Sequence, residues 1–125
     1  MNILCSISVA ELLDKITILE IKREKIHDTD KRRRIEEELS YLGGLSQGIG
    51  FRIGDEDSMN ELRMVNRALW DINELKRSKG RKRELDTEFI RISVEEDAYN
   101  DRRHMIKDHI NQLYNSKREL KEYDD

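Results

Sequence analysis

Val9, Leu12, Leu13, Ile16 and Leu19 recur at spacings of three and four. That is the period of one face of an α-helix, and such a face must be buried. Ile18 and Ile21 fall off the stripe, so the middle of this helix is apolar on more than one side. A helix of that kind is either central in a bundle or lies at an oligomer interface. Ser8-Val9-Ala10-Glu11 reads as its capping box, and the pattern predicts a helix over 8–27. His27 to Asp30 is a polar break. Asp28, Thr29 or Asp30 can cap a second helix there, predicted over 30–42 along Ile35, Leu39 and Leu42. One kinked helix from Ser8 to Leu42 is the alternative.

Gly43-Gly44 is expected to stop this helix, because glycine takes the left-handed position after a helix without strain. The stretch 43–57 then reads as a loop rich in glycine (Gly43, Gly44, Gly48, Gly50, Gly54), with Leu45, Ile49, Phe51 and Ile53 among them. A loop of this length is either packed back on the body or a mobile binding lid. A second capping box, Ser58-Met59-Asn60-Glu61, opens a helix predicted over 58–79. It follows Leu62, Val65, Leu69 and Ile72, flanked by Trp70 and Leu75, and Lys79 with Gly80 is expected to end it. Asp86 is a good N-cap for the last helix, predicted over 86–122. Ile92, Tyr99, Ile106, Leu113 and Leu120 recur every seven residues along it, with Phe89 and Ile110 in companion positions. At 1.5 Å per residue it would be about 55 Å long. That outruns the body of a small domain, so part of it is expected to pair with a second copy of the chain. The expected fold is all-α: one domain over 1–125, an antiparallel bundle of three to four helices with a long C-terminal helix, assembled as a homodimer.

Composition agrees with helices and narrows the setting. Of 125 residues, 41% are charged and 36% hydrophobic, and there is no proline, so nothing forbids long helices. The net charge of −3 argues against a dedicated nucleic-acid binder, which carries a basic excess. The single cysteine, Cys5, cannot form an internal disulfide. It is read as a packing residue in a reducing cytoplasm. No apolar run approaches the roughly 20 residues of a membrane span.

Candidate chemistry lies where polar residues fall on faces that ought to be apolar. On the last helix Glu96 and Arg103 occupy companion positions of the heptad, with Asn100 one turn from each. Asn66 sits between Leu62 and Leu69, and Glu20 and Arg23 follow Ile16 on the first stripe. Packed together, Glu20, Arg23, Asn66, Glu96, Asn100 and Arg103 are expected to converge at mid-height. Burying them is costly unless they are paired or hold a ligand. One reading is a salt-bridge and amide network that fixes helix register. The other is a pocket for a small anion, with Arg103 as the forked donor and Lys15, Lys22 or Lys107 as a point charge.

Other patterns are weaker. Asp101, His104 and Asp108 share a helix face, but a firm metal site needs more ligands and no HExxH is present, so no metal is expected. The glycine stretch lacks the Gly-Lys-Ser/Thr ending of a P-loop, and no cofactor is expected. Glu36, Glu37 and Glu38 suggest the acidic helices of all-α nucleotide pyrophosphatases, without the second acidic motif. The basic runs Lys31–Arg34 and Lys76–Arg83 carry no interleaved aromatic for base stacking.

The run Leu13-Asp14-Lys15-Ile16-Thr17-Ile18-Leu19-Glu20-Ile21-Lys22 resembles an uncharacterised family of small helical bacterial and phage proteins. So do Val65-Asn66 with Leu69-Trp70, Asp86 with Phe89-Ile90, and Tyr99-Asn100-Asp101 with Arg103, Lys107, Ile110 and Asn111. The middle loop and the basic turn at 76–83 depart from it. The resemblance implies a compact helical protein and assigns no activity. Helix one is also loosely similar to the first helix of the all-α chorismate mutases, an analogy of fold only. No reaction is legible, so whether the chain is an enzyme stays open. The leading expectation is a non-enzymatic protein-interaction or adaptor module with an unnamed protein partner. The alternative is a small-anion (phosphate or carboxylate) binding protein or enzyme built on the polar cluster.

Overall fold

A computed structural model describes residues 1–50 and 55–114. They form α1 (Val9–Lys25), α2 (Thr29–Ile49), α3 (Asp55–Arg81) and α4 (Thr87–Leu113), with no strand among the described residues. The fold is an all-α bundle with a long last helix. The chain breaks between Lys25 and Thr29, so the single kinked helix is excluded. The predicted end of the last helix at 122 lies outside the described residues.

Paired side chains fix the directions of the helices. Glu20 meets Arg63 and Glu24 meets Arg67, so α1 and α3 run parallel. Glu11 meets Lys107 and Asp14 meets Arg103, so α4 runs against α1. The order is up, down, up, down, and α1 touches all three other helices. Among the described residues α2 packs against α1 alone. The two-sided apolar character of helix one is thereby explained. Ala10 and Leu13 join Leu62, Val65, Leu69, Ile106 and Ile110 of α3 and α4 in the main core. Leu12 and Leu19 form a second cluster with Ile35 and Leu42 of α2. Ile16 packs against both. Because α2 stays away from α3, a groove of about 410 Å³ opens between them over Ile16 and Met59.

Of the four predicted caps, two form side-chain hydrogen bonds at the expected place, Ser8 and Asp86, whereas Asp28 at the start of α2 makes none. The Ser8 hydroxyl accepts from the Glu11 N–H at 3.2 Å, and the Asp86 carboxylate accepts from the Phe89 N–H at 2.9 Å. At the fourth, α3 starts at Asp55, one turn before Ser58.

Two expected stops do not occur. α2 runs through Gly43-Gly44 to Ile49, and the residue with positive φ is Gly50, at 75°. Leu42 and Ser46 are buried on either side of the glycine pair, and this packing carries the helix past a pair that weakens it. The loop expected over 43–57 is therefore helical at both ends. Gly80 likewise lies within α3. The left-handed residue is Arg83, φ 58°, where the Glu84 N–H donates to Lys79 O at 2.8 Å and the Arg83 N–H to Gly80 O at 3.1 Å. This is the Schellman pattern with an arginine where glycine is usual.

With Glu24 beside Arg67, α1 ends a few residues short of Trp70, and α3 continues for roughly 20 Å at 1.5 Å per residue. The α3–α4 hairpin thus projects beyond α1. At its tip the expected basic C-terminal residue turns inward. Lys79 is buried, 3.0 Å from Asp86, 3.6 Å from Glu88 and 3.7 Å from Glu84, and its hydrogen bond to Asp86 raises its pKa.

Candidate functional site

The polar residues singled out in the sequence separate into three groups. The first is a buried network centred on Asp14, a residue the sequence reading passed over. The Asp14 side chain is 1% exposed. Arg103 grips its carboxylate with two N–H groups, one of them at 3.1 Å. The Asn66 amide donates to the same carboxylate at 2.9 Å and to the Thr17 hydroxyl at 2.8 Å. Thr17 in turn donates to Asp14 O at 2.8 Å. Lys107 donates to Glu11 at 2.7 Å and stands 3.6 Å from Asp14. One turn away the Ala10 N–H donates to the buried Asn111 carboxamide at 3.0 Å, so α4 caps the start of α1. Burial pushes the Asp14 carboxyl up. Arg103, Asn66 and Lys107 more than offset it and hold it below the usual carboxylate range. Hydrogen bonding to Asp14 raises the pKa of Arg103. Among the described residues no buried side-chain nitrogen or oxygen lacks a partner.

The second group lines an open cleft of about 340 Å³ at the place where α1 ends between α3 and α4. Here Asn66, Glu96, Asn100 and Arg103 do converge, joined by Trp70, Asn73 and Arg77. Ile18 and Ile21 of α1 contribute apolar surface. Glu96 is 3.5 Å from Lys76, and Lys76 lies 5.3 Å from the centre of the Phe89 ring. Arg77 donates to Glu74 at 3.1 Å through one nitrogen. No hydrogen bond among the described residues engages the carboxamides of Asn73 or Asn100.

The third group does not converge. Glu20 is turned to Arg63 at 3.1 Å, away from the cleft. Arg23 faces Glu36 of α2 at 3.8 Å. Lys15 is exposed and Lys22 half-buried, and neither lines the cleft that holds Arg103. The reason is geometric. Glu20 and Arg23 sit toward the edges of α1, where α3 and α2 each supply an opposite charge.

Two residues the reading missed were within reach of it. Ala10, Asp14, Thr17 and Ile21 form a second helical stripe on α1, at spacings of four, three and four. All four are buried. An aspartate inside such a stripe calls for a cation from a neighbouring helix. Trp70 flanks the apolar stripe of α3 in sequence, and its place in the cleft wall follows from where α1 ends, which local spacing does not carry.

His27, His104 and His109 are exposed. Among the described residues no three histidines, cysteines or acids gather as metal ligands. Cys5 is exposed rather than packed. No described helix is long and apolar enough to cross a membrane. The class of protein is thus an all-α bundle with a saturated polar core and a polar cleft beside it. Comparison with protein families, curated proteins and solved structures finds no match.

Proposed function

We propose that this chain is a non-enzymatic helical interaction module that self-associates through α2. The observation that carries the reading is a second apolar stripe on that helix. Ile35, Leu39, Leu42 and Ser46 face α1, while Tyr41, Leu45 and Ile49 recur every four residues on another side and are 64%, 45% and 40% exposed. On α1 the same two-sided pattern is satisfied by neighbours on both sides. Among the described residues α2 has a neighbour on one side only. Apolar stripes flanked by charged residues are what helix-in-groove and helix-pair contacts use.

The polar core supports the same reading. Arg103 and Lys107 are engaged by Asp14 and Glu11, and Lys15 and Lys22, the other two point charges considered, do not line the cleft with Arg103, which counts against the small-anion reading. The network fixes how α1, α3 and α4 pack, in the manner of buried polar residues that set register. Nucleic-acid binding through 76–83 is disfavoured because Lys76, Arg77 and Lys79 already pair with Glu96, Glu74 and Asp86. The lone cysteine, which can form no internal disulfide, supports a reducing, cytoplasmic setting.

Sedimentation equilibrium tests the proposal. The wild type is expected to sediment as a dimer at micromolar concentration. Leu45→Glu is expected to give a monomer with an unchanged melting temperature. A monomeric wild type, or a dimer indifferent to Leu45→Glu, overturns it.

A further inference from the structure

We propose that the cleft at the end of α1 binds an amino-bearing nucleobase, presented as a nucleoside or nucleotide. The inference is independent of self-association through α2, which lies on the far side of α1. The volume of about 340 Å³ falls at the lower end of small-ligand pockets, roughly 300–1,000 Å³. It is large enough for a single nucleoside. The lining is a particular mixture. Trp70, the one tryptophan of the chain, offers an aromatic surface for stacking, which every base can use. Asn73 and Asn100 present carboxamides that no protein group engages. A carboxamide gives a donor and an acceptor side by side, the pattern that reads the edge of an amino-bearing base. Glu96 retains acceptor sites beyond its contact with Lys76, since a carboxylate has about four. An exocyclic N–H₂ group carries two N–H donors and can satisfy Glu96 and an asparagine oxygen at once, whereas uracil offers a single N3–H between two carbonyls and leaves one of these acceptors unpaired.

The charges in the cleft nearly cancel: Arg103 is matched by Asp14, Glu96 by Lys76 and Arg77 by Glu74. A neutral, hydrogen-bonding, planar group therefore fits better than a bare anion. Arg77 is exposed, with its side chain at 62%. Only one of its nitrogens is held by Glu74, so a phosphate on the ligand can reach it without being the main anchor.

Trp70 makes the test direct, because its fluorescence reports on this cleft alone. Adenosine, cytidine, uridine and AMP are titrated into the full chain, with N-acetyltryptophanamide as the collisional reference. The expected result is saturable quenching by adenosine, cytidine and AMP, with uridine weaker by about tenfold or more, since an unpaired acceptor costs that much. Asn73→Leu and Asn100→Leu are expected to abolish saturation while the melting temperature and dimer content hold. Asn60→Leu, on the other side of α3, keeps it. Arg77→Met is expected to bring AMP to the level of adenosine. Linear quenching that matches the reference overturns the proposal. So does saturation by AMP without saturation by adenosine, which would make phosphate the ligand. Saturation that survives both cleft asparagine variants overturns it as well. Loss of the dimer in Leu45→Glu with intact quenching separates this site from the α2 surface.

Discussion

The two sides of α1 are held in different ways. Toward α3 and α4 it carries Ala10, Leu13, Asp14, Thr17 and Ile21, and an aspartate at the centre of an apolar contact is matched by Arg103, Asn66 and Lys107. Toward α2 it carries Leu12, Ile16 and Leu19 against Ile35, Leu39 and Leu42, with the small Ser46 buried nearby but, among the described residues, no buried charged group between them. Both sides exclude water, but only one specifies a register. A contact made of aliphatic side chains tolerates sliding and repacking. A carboxylate gripped from two helices does not, because a shift by one turn leaves it buried and unpaired. The bundle of α1, α3 and α4 is thus the specified part, and α2 is an attached helix whose outer face has no neighbour among the described residues.

The largest effect should come from breaking the specified side. Arg103→Leu leaves Asp14 buried with the Asn66 amide and the more distant Lys107 as its remaining partners, and is expected to cost about 3–5 kcal/mol, read by urea unfolding. Pairing it with Asp14→Leu should recover most of that loss, because an apolar pair of similar size replaces the ion pair. If the double variant is as unstable as the single one, the network is more than a matched charge pair. Acid sharpens the same point. Asp14 has a folded pKa below its unfolded one. Its contribution is therefore fully present above the unfolded value of about 3.9 and is lost as pH falls through the lower folded value. Asp14→Asn should unfold less steeply than the wild type below pH 4, although it is weaker at pH 7. Equal acid slopes would mean that other carboxylates dominate.

The weaker side should fail locally. Leu42→Ala, in the second cluster, is expected to cost about 2 kcal/mol, the low end for a buried leucine, because α2 can settle against α1 or detach. Amide hydrogen exchange gives the sharper reading. Exchange in α2 should accelerate while α3 and α4 keep their protection. Uniform acceleration across all four helices would show that α2 is a full member of the cooperative unit and would remove the contrast.

This contrast also explains which parts were readable in the sequence. The stripes of α1 and α3 and the caps at Ser8 and Asp86 rest on local spacing, and local spacing is what a sequence shows. Asn66 and Arg103 were found because each interrupts an apolar stripe. Asp14 was not, since the stripe through Leu12, Leu13 and Ile16 drew attention away from the one through Ala10, Thr17 and Ile21. The convergence expected of Glu20 and Arg23 failed on a quantity no single helix carries, namely the rotation of α1 relative to its neighbours. The cleft is of the same kind. It exists because α1 stops while α3 and α4 continue, and relative helix length becomes meaningful only once the register of Glu24 with Arg67 is known.

The smallest effects test the glycine positions, where expectation and structure differed. Gly44 is inside α2, and a Cβ built there meets nothing within 4 Å. Gly44→Ala should therefore stabilise by about 0.4–1 kcal/mol, chiefly by restricting the unfolded chain. Arg83 is the mirror case: a side chain in the left-handed region that costs about 1 kcal/mol relative to glycine. Arg83→Gly should recover part of that, less the entropy that glycine loses on folding. The two gains should appear in different places. Gly44→Ala should slow exchange in α2 alone, whereas Arg83→Gly should raise the global midpoint of urea unfolding, because the turn it relieves joins the two helices of the specified core. A global gain from Gly44→Ala would again argue that α2 unfolds with the rest. No gain from Arg83→Gly would mean that the Arg83 side chain makes a contact worth as much as the strain.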